Sequence, residues 1–168
     1  MIKVAILIVS DSCAQKKRQD LSGQTIKEML PSDKLVPSRV EGFEICEYKI
    51  VADERKDIEN ELIHFADELK VNIVFTTGGT GLGPRDVTPE ATAAVCQRMV
   101  PGLAETMRLE GLKKTKNAML SRAAAGVRGN TLIINLPGSP KAVKESLEVV
   151  LDVLPHATDM LLGRGHDT

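Results

Sequence analysis

The feature that most constrains this chain is a short apolar run that passes into a glycine-rich loop. Residues 71–75 include three β-branched side chains, a composition typical of a strand inside a parallel sheet. Gly78, Gly79, Gly81 and Gly83 follow it. Glycines adopt positive φ readily and leave backbone N–H groups open to a ligand, as in loops that bind phosphate oxygens. The stretch therefore predicts a strand followed by an anion-binding loop.

The start of the next helix supports this interpretation. Thr88, Pro89 and Glu90 are typical of an N-cap, a first helical position and an acidic first turn, so the positive end of the helix would face the loop. Arg85 and Asp86 lie just before them. We expect the arginine to neutralise phosphate charge and the aspartate to hold magnesium or a polar substrate group. A glycine turn without a ligand is the alternative, and these two charges weigh against it.

Two well-known phosphate-binding sequences do not match this loop. A P-loop needs Lys and then Ser or Thr after its last glycine, whereas Gly83 is followed by Pro84 and Arg85. The pattern GxGxxG also fails, because its third glycine would fall on Pro84. The loop therefore indicates a different kind of site.

Composition excludes several classes of protein. The 168 residues, 42% of them apolar, suffice for one domain with its own core. With 22 basic and 23 acidic residues, three Phe, one Tyr and no Trp, the chain lacks the charge and the stacking surfaces that nucleic acids require. Three cysteines without a CxxC pair favour neither disulfides nor zinc. Because no run reaches membrane-spanning length and no signal-peptide pattern is present, we expect a cytoplasmic protein.

Strand and helix patterns alternate along the rest of the chain. Strand patterns cover residues 4–9, 44–51, 71–75 and 131–136. Helix patterns cover residues 20–30, 58–69, 89–99, 103–113 and 143–154. Leu69 is predicted to end the apolar stripe of the second of these helices. Residues 31–43 are predicted to form a loop. This order predicts a single-domain, three-layer α/β sandwich on a mainly parallel sheet with right-handed crossovers. A turn at Gly129-Asn130 is compatible with an antiparallel edge strand.

Polar loops follow the four predicted strands. In open α/β sheets the loops at the carboxyl ends of the strands share one edge, where ligands bind. That edge would join Ser10-Asp11, Asp53, the glycine loop (residues 78–86) and residues 135–139. Asp11, Asp53 and Asp86 would share a magnesium ion there or orient polar substrate groups. Aspartates at strand ends also serve as caps and turn formers, and for Asp11 that role is expected at least as much.

The residue types in these loops favour phosphate chemistry. Glycines, carboxylates, hydroxyls and an arginine suit a reaction that depends on positioning and charge neutralisation. There is no GxSxG elbow, no HExxH and no cysteine paired with a base, so hydrolase and zinc-enzyme functions have no support. His64, His156 and His166 lie outside the four loops, and we expect none of them to take part in the chemistry.

Four motifs resemble one known family. Residues 9–12, 76–91, 119–122 and 132–139 are similar, in order, to motifs of the molybdopterin adenylyltransferase family of the MogA type. That family includes the N-terminal G domain of gephyrin and its plant counterpart. The resemblance extends from the first strand to the last helix and implies one molybdopterin-binding domain over residues 1–168.

The resemblance also implies an activity and a set of residues. In that family a homotrimer uses magnesium and ATP to adenylylate molybdopterin, with release of pyrophosphate, during molybdenum cofactor synthesis. By motif, Asp53 and Asp86 are the catalytic aspartates, with Asp86 as a magnesium ligand. The implied substrate- and nucleotide-binding residues are Ser10, Asp11, Thr77, Gly78, Gly79, Thr80, Gly81, Arg85, Ser121, Asn135, Pro137, Gly138 and Ser139.

The expected chemistry needs no protein base. The terminal phosphate of molybdopterin is already anionic and would attack the α-phosphorus of ATP in line. Loop amides, helix N-termini, Arg85 and magnesium would hold the two anions together. Two alternatives share the motifs: a non-catalytic trimeric binding or scaffold module, since the gephyrin relative also organises partners, and the MoaB-type branch. A molybdate-insertion protein or domain is an expected partner.

Overall fold

A six-stranded sheet forms the centre of the computed structural model, which describes residues 1–30 and 42–164. Its strands are β1 (Ile2–Val9), β2 (Phe43–Val51), β3 (Ile73–Thr77), β4 (Arg98–Met99), β5 (Ala125–Arg128) and β6 (Thr131–Leu136). They are arranged in the order β2-β1-β3-β6-β5-β4. The first four strands in that order are parallel, and β5 and β4 continue the sheet antiparallel. The mainly parallel sheet with an antiparallel edge is therefore confirmed.

Helices cover both faces of the sheet. They are α1 (Asp11–Ala14), α2 (Ser22–Met29), α3 (Arg55–Ile63), α4 (Thr88–Val95), α5 (Pro101–Leu112), α6 (Pro140–Val150) and α7 (Leu154–Leu161). A π-helical turn, His64–Glu68, extends α3, and 3₁₀ segments occupy Lys116–Leu120 and Leu151–Val153.

Alternate residues of β1 divide the interior into two cores, as the period of two in a strand requires. Ile6 packs with the apolar faces of α2 and α6, including Ile26 and Leu147. Leu7 points to the opposite side and packs with α3 and α4, including Leu62. Because α2, α5, α6 and α7 cover one face and α3 and α4 the other, the three-layer sandwich is confirmed.

Three local predictions were wrong. The helix predicted over residues 89–99 ends at Val95, because Arg98 and Met99 pair with the exposed edge of β5 instead. Strand β3 begins and ends two residues later than its apolar run. Leu69 is 37% exposed, since it lies beyond the π-helical turn that ends α3.

Some predicted features lie outside the described residues, and others can be assessed directly. The loop predicted around Pro37 and the terminal His166 both lie outside. The turn at Gly129-Asn130 is confirmed, with Gly129 at φ 56°. Within residues 1–30 and 42–164, no helix has the length and apolar character needed to cross a membrane.

Candidate active site

The four polar loops meet at one edge of the sheet, where β1, β2, β3 and β6 end; we call it the carboxyl edge. The Asp11 N–H donates to Asp53 Oδ2 over 2.7 Å, and the Asp53 N–H donates back to Asp11 Oδ1 over 3.0 Å. On the other side of β1, the Thr77 hydroxyl donates to the Pro137 carbonyl over 2.6 Å. The juxtaposition predicted for these loops is therefore confirmed.

The first two glycines of the loop pass through spaces that no other residue fits. Gly78 and Gly79 have φ of 98° and 66°. A Cβ on Gly78 would lie 2.2 Å from the carbonyl oxygen of Val9, and one on Gly79 would lie 2.3 Å from Thr88 Oγ1 and 3.4 Å from Asp53 Oδ1. The loop can therefore pack against Val9, Thr88 and Asp53 because Gly78 and Gly79 have no side chains.

Thr88 has a different role from the one predicted. Helix α4 begins at Thr88 itself, with Val87 at the N-cap position, and Thr88 makes no side-chain cap. Its hydroxyl instead donates to the Gly78 carbonyl over 2.8 Å. The predicted N-cap was wrong, because the loop folds back against the first turn of the helix and its Gly78 carbonyl accepts the hydrogen bond of the Thr88 hydroxyl.

The last two glycines surround the carboxylate of Asp86. The Gly83 N–H donates to Asp86 Oδ2 over 2.8 Å, and the Asp86 N–H donates to the Gly83 carbonyl over 3.0 Å. A Cβ on Gly81 or Gly83 would lie 2.9 or 2.8 Å from the same Oδ2. Residues 81–86 thus form a closed turn with the Asp86 carboxylate inside it.

Arg85 is paired with two carboxylates of the carboxyl edge. Its Nε and Nη2 each donate to Asp11 over 2.9 Å, and its Nη1 donates to Glu54 over 2.7 Å. The side chain is about half exposed. A phosphate that binds Arg85 must therefore compete with Asp11 and Glu54 for the guanidinium.

The pKa values of the Asp11 and Asp53 carboxyls are shifted in opposite directions. Hydrogen bonds from Arg85 and from the Asp53 backbone lower the pKa of Asp11. Burial raises the pKa of Asp53, and the negative charges of Asp11 and Asp86 raise it further. The site therefore concentrates negative charge around Asp53, where a bound cation would relieve the repulsion.

The carboxylates fit a magnesium ion that is shared with a phosphate. Among the described residues, no group of three His, Cys, Asp or Glu side chains is placed to hold a metal. Magnesium in phosphate-transfer sites is held by one or two carboxylates, with substrate oxygens and water completing its shell. Asp86 and Asp53 together provide such a donor set, since they are close enough for the charge of Asp86 to raise the pKa of Asp53.

Two cavities are lined in part by the glycine loop and the end of β3. The larger, of about 520 Å³, lies between α5, the 3₁₀ segment Lys116–Leu120 and α6, and the predicted residues that line it are Thr80, Gly81, Ser121 and Pro137. The smaller, of about 190 Å³, is lined by the predicted residues Ser10, Asp53, Thr77, Gly78 and Gly138. Both substrates of a two-substrate reaction can therefore approach the same loop.

Two predicted residues support the site from the inside of the fold. The buried Asn135 side chain donates to Thr76 Oγ1 over 3.0 Å and to Thr92 Oγ1 over 2.8 Å, and it accepts from the Ala124 N–H. These bonds join β6, β3 and α4 beneath the loops. Ser139 caps α6 by accepting from the Ala142 N–H over 3.3 Å.

Two charged residues of the site were not singled out from the sequence. Glu54 pairs with Arg85, and Arg122 donates to the carbonyls of Gly81 and Asp86. Each directly follows a predicted residue, Asp53 or Ser121. Their partners lie 31 to 41 residues away along the chain, so no local pattern indicates the contacts.

Known proteins are similar to this chain in both sequence and architecture. A family model described as "Probable molybdopterin binding domain" matches residues 5–156, an interval that includes all four loops. The chain is 46% identical to a molybdopterin adenylyltransferase of Helicobacter pylori (strain J99) over 162 residues, which is 96% of this chain and 89% of that protein. It is 39% identical to gephyrin of Dictyostelium discoideum over 160 residues, 94% of this chain and 22% of gephyrin.

A solved structure gives the same result. The molybdopterin biosynthesis enzyme MoaB from Thermus thermophilus superposes with a TM-score of 0.85 at 49% identity, covering 97% of this chain and 98% of that one. Fold and sequence therefore agree along nearly the whole chain.

Proposed function

The chain belongs to the molybdopterin-binding domain family, and from that premise we propose that it is a molybdopterin adenylyltransferase. The resemblance inferred from the four sequence motifs is confirmed by the family match. The proposed reaction joins the adenylyl group of ATP to the terminal phosphate of molybdopterin and releases pyrophosphate. The observation that carries the proposal is the packing of the Asp53 and Asp86 carboxylates against one glycine loop, which also lines two cavities.

We assign the pterin to the larger cavity. A volume of about 520 Å³ is in the range of small-molecule sites, and the Thr80 and Ser121 side chains that line it are those the family resemblance assigns to substrate. The smaller cavity, of about 190 Å³, suits a phosphate chain better than a whole nucleotide. Its lining includes Gly78 and Asp53, so the phosphates of ATP would meet the molybdopterin phosphate beside Asp53.

The chain contributes positioning rather than a proton acceptor. An oxygen of the molybdopterin phosphate forms a bond to the α-phosphorus, and the bond from that phosphorus to the bridging oxygen of pyrophosphate breaks. Because the attacking oxygen is already anionic, no side chain has to remove a proton. The task of the site is to hold two anions at bonding distance, which is worth several orders of magnitude in rate.

Charge neutralisation follows from the residues at the carboxyl edge. Asp86, with Asp53 nearby, would hold a magnesium ion, and that ion would supply positive charge at the reacting groups. Arg85 adds a second cation when it exchanges Asp11 and Glu54 for a phosphate. Its present partners keep the guanidinium directed across the carboxyl edge until that exchange.

A product assay tests the proposal. Purified protein is incubated with magnesium, ATP and molybdopterin, and adenylylated pterin and pyrophosphate are quantified together. We expect both products in equal amounts, with neither formed when molybdopterin or magnesium is omitted. Absence of the adenylylated pterin in the complete mixture contradicts the proposal.

The scaffold role is the second candidate, because the chain matches a segment of Dictyostelium gephyrin. A protein with that role alone binds molybdopterin without releasing pyrophosphate, so the same assay separates the two functions. It also decides whether the chain acts as an adenylyltransferase or as a MoaB-type relative of different activity. For either outcome we propose a homotrimer and a molybdate-insertion protein or domain as the downstream partner.

A further inference from the structure

We infer that Arg122 is the positioning residue of the glycine loop, holding residues 81–86 in the conformation that fixes the position of the Asp86 carboxylate. The inference rests on the proposed function for its kinetic consequence. Its structural content, that one guanidinium fixes the loop, rests on contacts alone.

Arg122 contacts the loop at both ends of the turn around Asp86. Its Nε donates to the Gly81 carbonyl over 2.7 Å, and its Nη2 donates to the Asp86 carbonyl over 2.6 Å. Its backbone N–H donates to the Thr80 carbonyl over 2.9 Å. An ion pair with Glu90, in the first turn of α4, orients the same guanidinium.

The Arg122 contacts add to the hydrogen bonds that residues 81–86 make among themselves. Inside the turn, Gly83 and the Asp86 carboxylate are hydrogen-bonded to each other. Outside it, Arg122 links the carbonyls of Gly81 and Asp86, which are the two ends of the same turn. The Gly83 N–H thus holds the Asp86 carboxylate, and the Arg122 guanidinium holds the Asp86 backbone carbonyl.

Only an arginine provides this geometry. The guanidinium is planar and presents five donors in a fixed fork, so it can serve two carbonyls and a carboxylate together. A lysine ammonium can replace the charge opposite Glu90, but it lacks the fork that joins both carbonyls. Arg122→Lys and Arg122→Gln therefore separate loss of geometry from loss of charge.

The chain offers a matched control in Arg128. Its guanidinium makes two hydrogen bonds to Asp67, over 3.0 and 2.6 Å, and one to the Val95 carbonyl over 2.9 Å. Arg128 ends β5 and pairs with Thr131 at the start of β6, so it lies at the end of the strands opposite the carboxyl edge. Arg128→Gln thus removes a comparable set of bonds without touching the site.

The first readout is backbone hydrogen exchange in the absence of substrates. In Arg122→Gln we expect exchange of the hydrogen-bonded amides of Gly83 and Asp86, within residues 80–86, to accelerate at least about tenfold relative to the parent, with Arg122→Lys intermediate. Arg128→Gln should leave amide exchange in that segment unchanged, although we expect it to lower the melting temperature about as much as Arg122→Gln does. Equal exchange of the segment in Arg122→Gln and in the parent overturns the inference.

The second readout is the division of the kinetic effect between kcat and KM. Misplacing a reactive group by about 1 Å costs about a hundredfold in rate, so Arg122→Gln should lower kcat by at least about tenfold and change the KM values less. Arg128→Gln should keep kcat within about twofold. If both variants lose the same small fraction of kcat, Arg122 is only a stabilising residue and the inference is wrong.

The two readouts separate the inference from the proposed function. If the parent shows no adenylyl transfer, the proposed function fails, while the exchange data still decide whether Arg122 fixes the loop. If Arg122→Gln does not fold, Arg122→Lys answers the same question, because it keeps the charge and loses the bridge between the carbonyls. Parent-like exchange and kcat in Arg122→Lys then overturn the inference.

Discussion

Asp53 occupies a position where its charge lowers the stability of the folded chain. Its pKa is raised by burial and by Asp11 and Asp86, so the protonated form is favoured in the folded state. The stability that Asp53 contributes is complete below its ordinary pKa of 3.8 and is lost as pH rises through the raised value. A carboxyl whose pKa is raised by burial and by neighbouring charges is typical of a functional site.

Replacing Asp53 by Asn should therefore stabilise the protein while removing activity. The amide oxygen can still accept from the Asp11 N–H, and the buried charge is gone. We expect the melting temperature at pH 7 to rise by roughly 1 to 3 °C, the size of a small stability change in a domain of this length. The gain should vanish below pH 3.8.

Asp11→Asn is the matched control for that measurement. Its pKa is lowered mainly by Arg85, so its stabilising contribution is present above the ordinary pKa and is lost on acidification. Asp11→Asn should lower the melting temperature at pH 7 where Asp53→Asn raises it. A lower melting temperature for both variants contradicts the opposite pKa directions.

The histidines should be dispensable for the reaction. His64 pairs with Glu68 beyond the end of α3, and His156 lies on α7. Replacing both and His166 with Gln should keep the turnover rate within about threefold, whereas loss of a general acid or base costs at least about a hundredfold. The rate should instead fall as the substrate phosphate is protonated near pH 6. A folded triple variant that binds both substrates but does not turn over rejects this mechanism.

At the scale of elements, the glycine loop can be tested against the helix that follows it. Gly79→Ala places a Cβ 2.3 Å from Thr88 Oγ1 at a φ of 66°, so it should cost at least about 1 kcal/mol of unfolding free energy. Gly102→Ala is the control, since nothing lies within 4 Å of its Cβ and it occupies α5. That substitution should be neutral or stabilising by up to about 1 kcal/mol. Chemical denaturation of both variants measures the difference.

Elements defined by local patterns could be predicted, and those defined by distant partners could not. The apolar run of β1 and the turn at Gly129-Asn130 contain their own signals. Strand β4 does not, because Arg98 and Met99 follow a helical pattern and become a strand only by pairing with β5. Arg122 is similar: its motif was recognised, but its contacts with Gly81 and Asp86 depend on the whole fold.

The site shows the same division. The four loops could be placed together because parallel strands end at one edge of a sheet. Side-chain directions could not be predicted: Thr88 contacts the Gly78 carbonyl, and Asn135 lies beneath the site. These directions are determined by how closely the loop packs against α4, which no sequence spacing encodes.

At the scale of the whole molecule, we expect assembly into a homotrimer. Leu109, Met119 and Leu120 are each at least half exposed on α5 and the 3₁₀ segment after it, and they provide apolar surface that a second copy could cover. Light scattering should give a mass near three times the 18.2 kDa of one chain. A monomer at working concentration argues against the trimer and weakens a scaffold role.

The central claim is that Asp53 and Asp86 at the glycine loop make this chain an adenylyltransferase. Its most direct test is the molybdopterin-dependent rate of pyrophosphate release in the parent, Asp53→Ala, Asp86→Ala and the control Asp67→Ala, whose aspartate pairs with Arg128 away from the site. We predict a fall of at least about a hundredfold in the first two variants, with native circular dichroism, because each loses a preorganised electrostatic group. Asp67→Ala should stay near the parent rate. Folded Asp53→Ala and Asp86→Ala proteins that release pyrophosphate at the parent rate contradict the account.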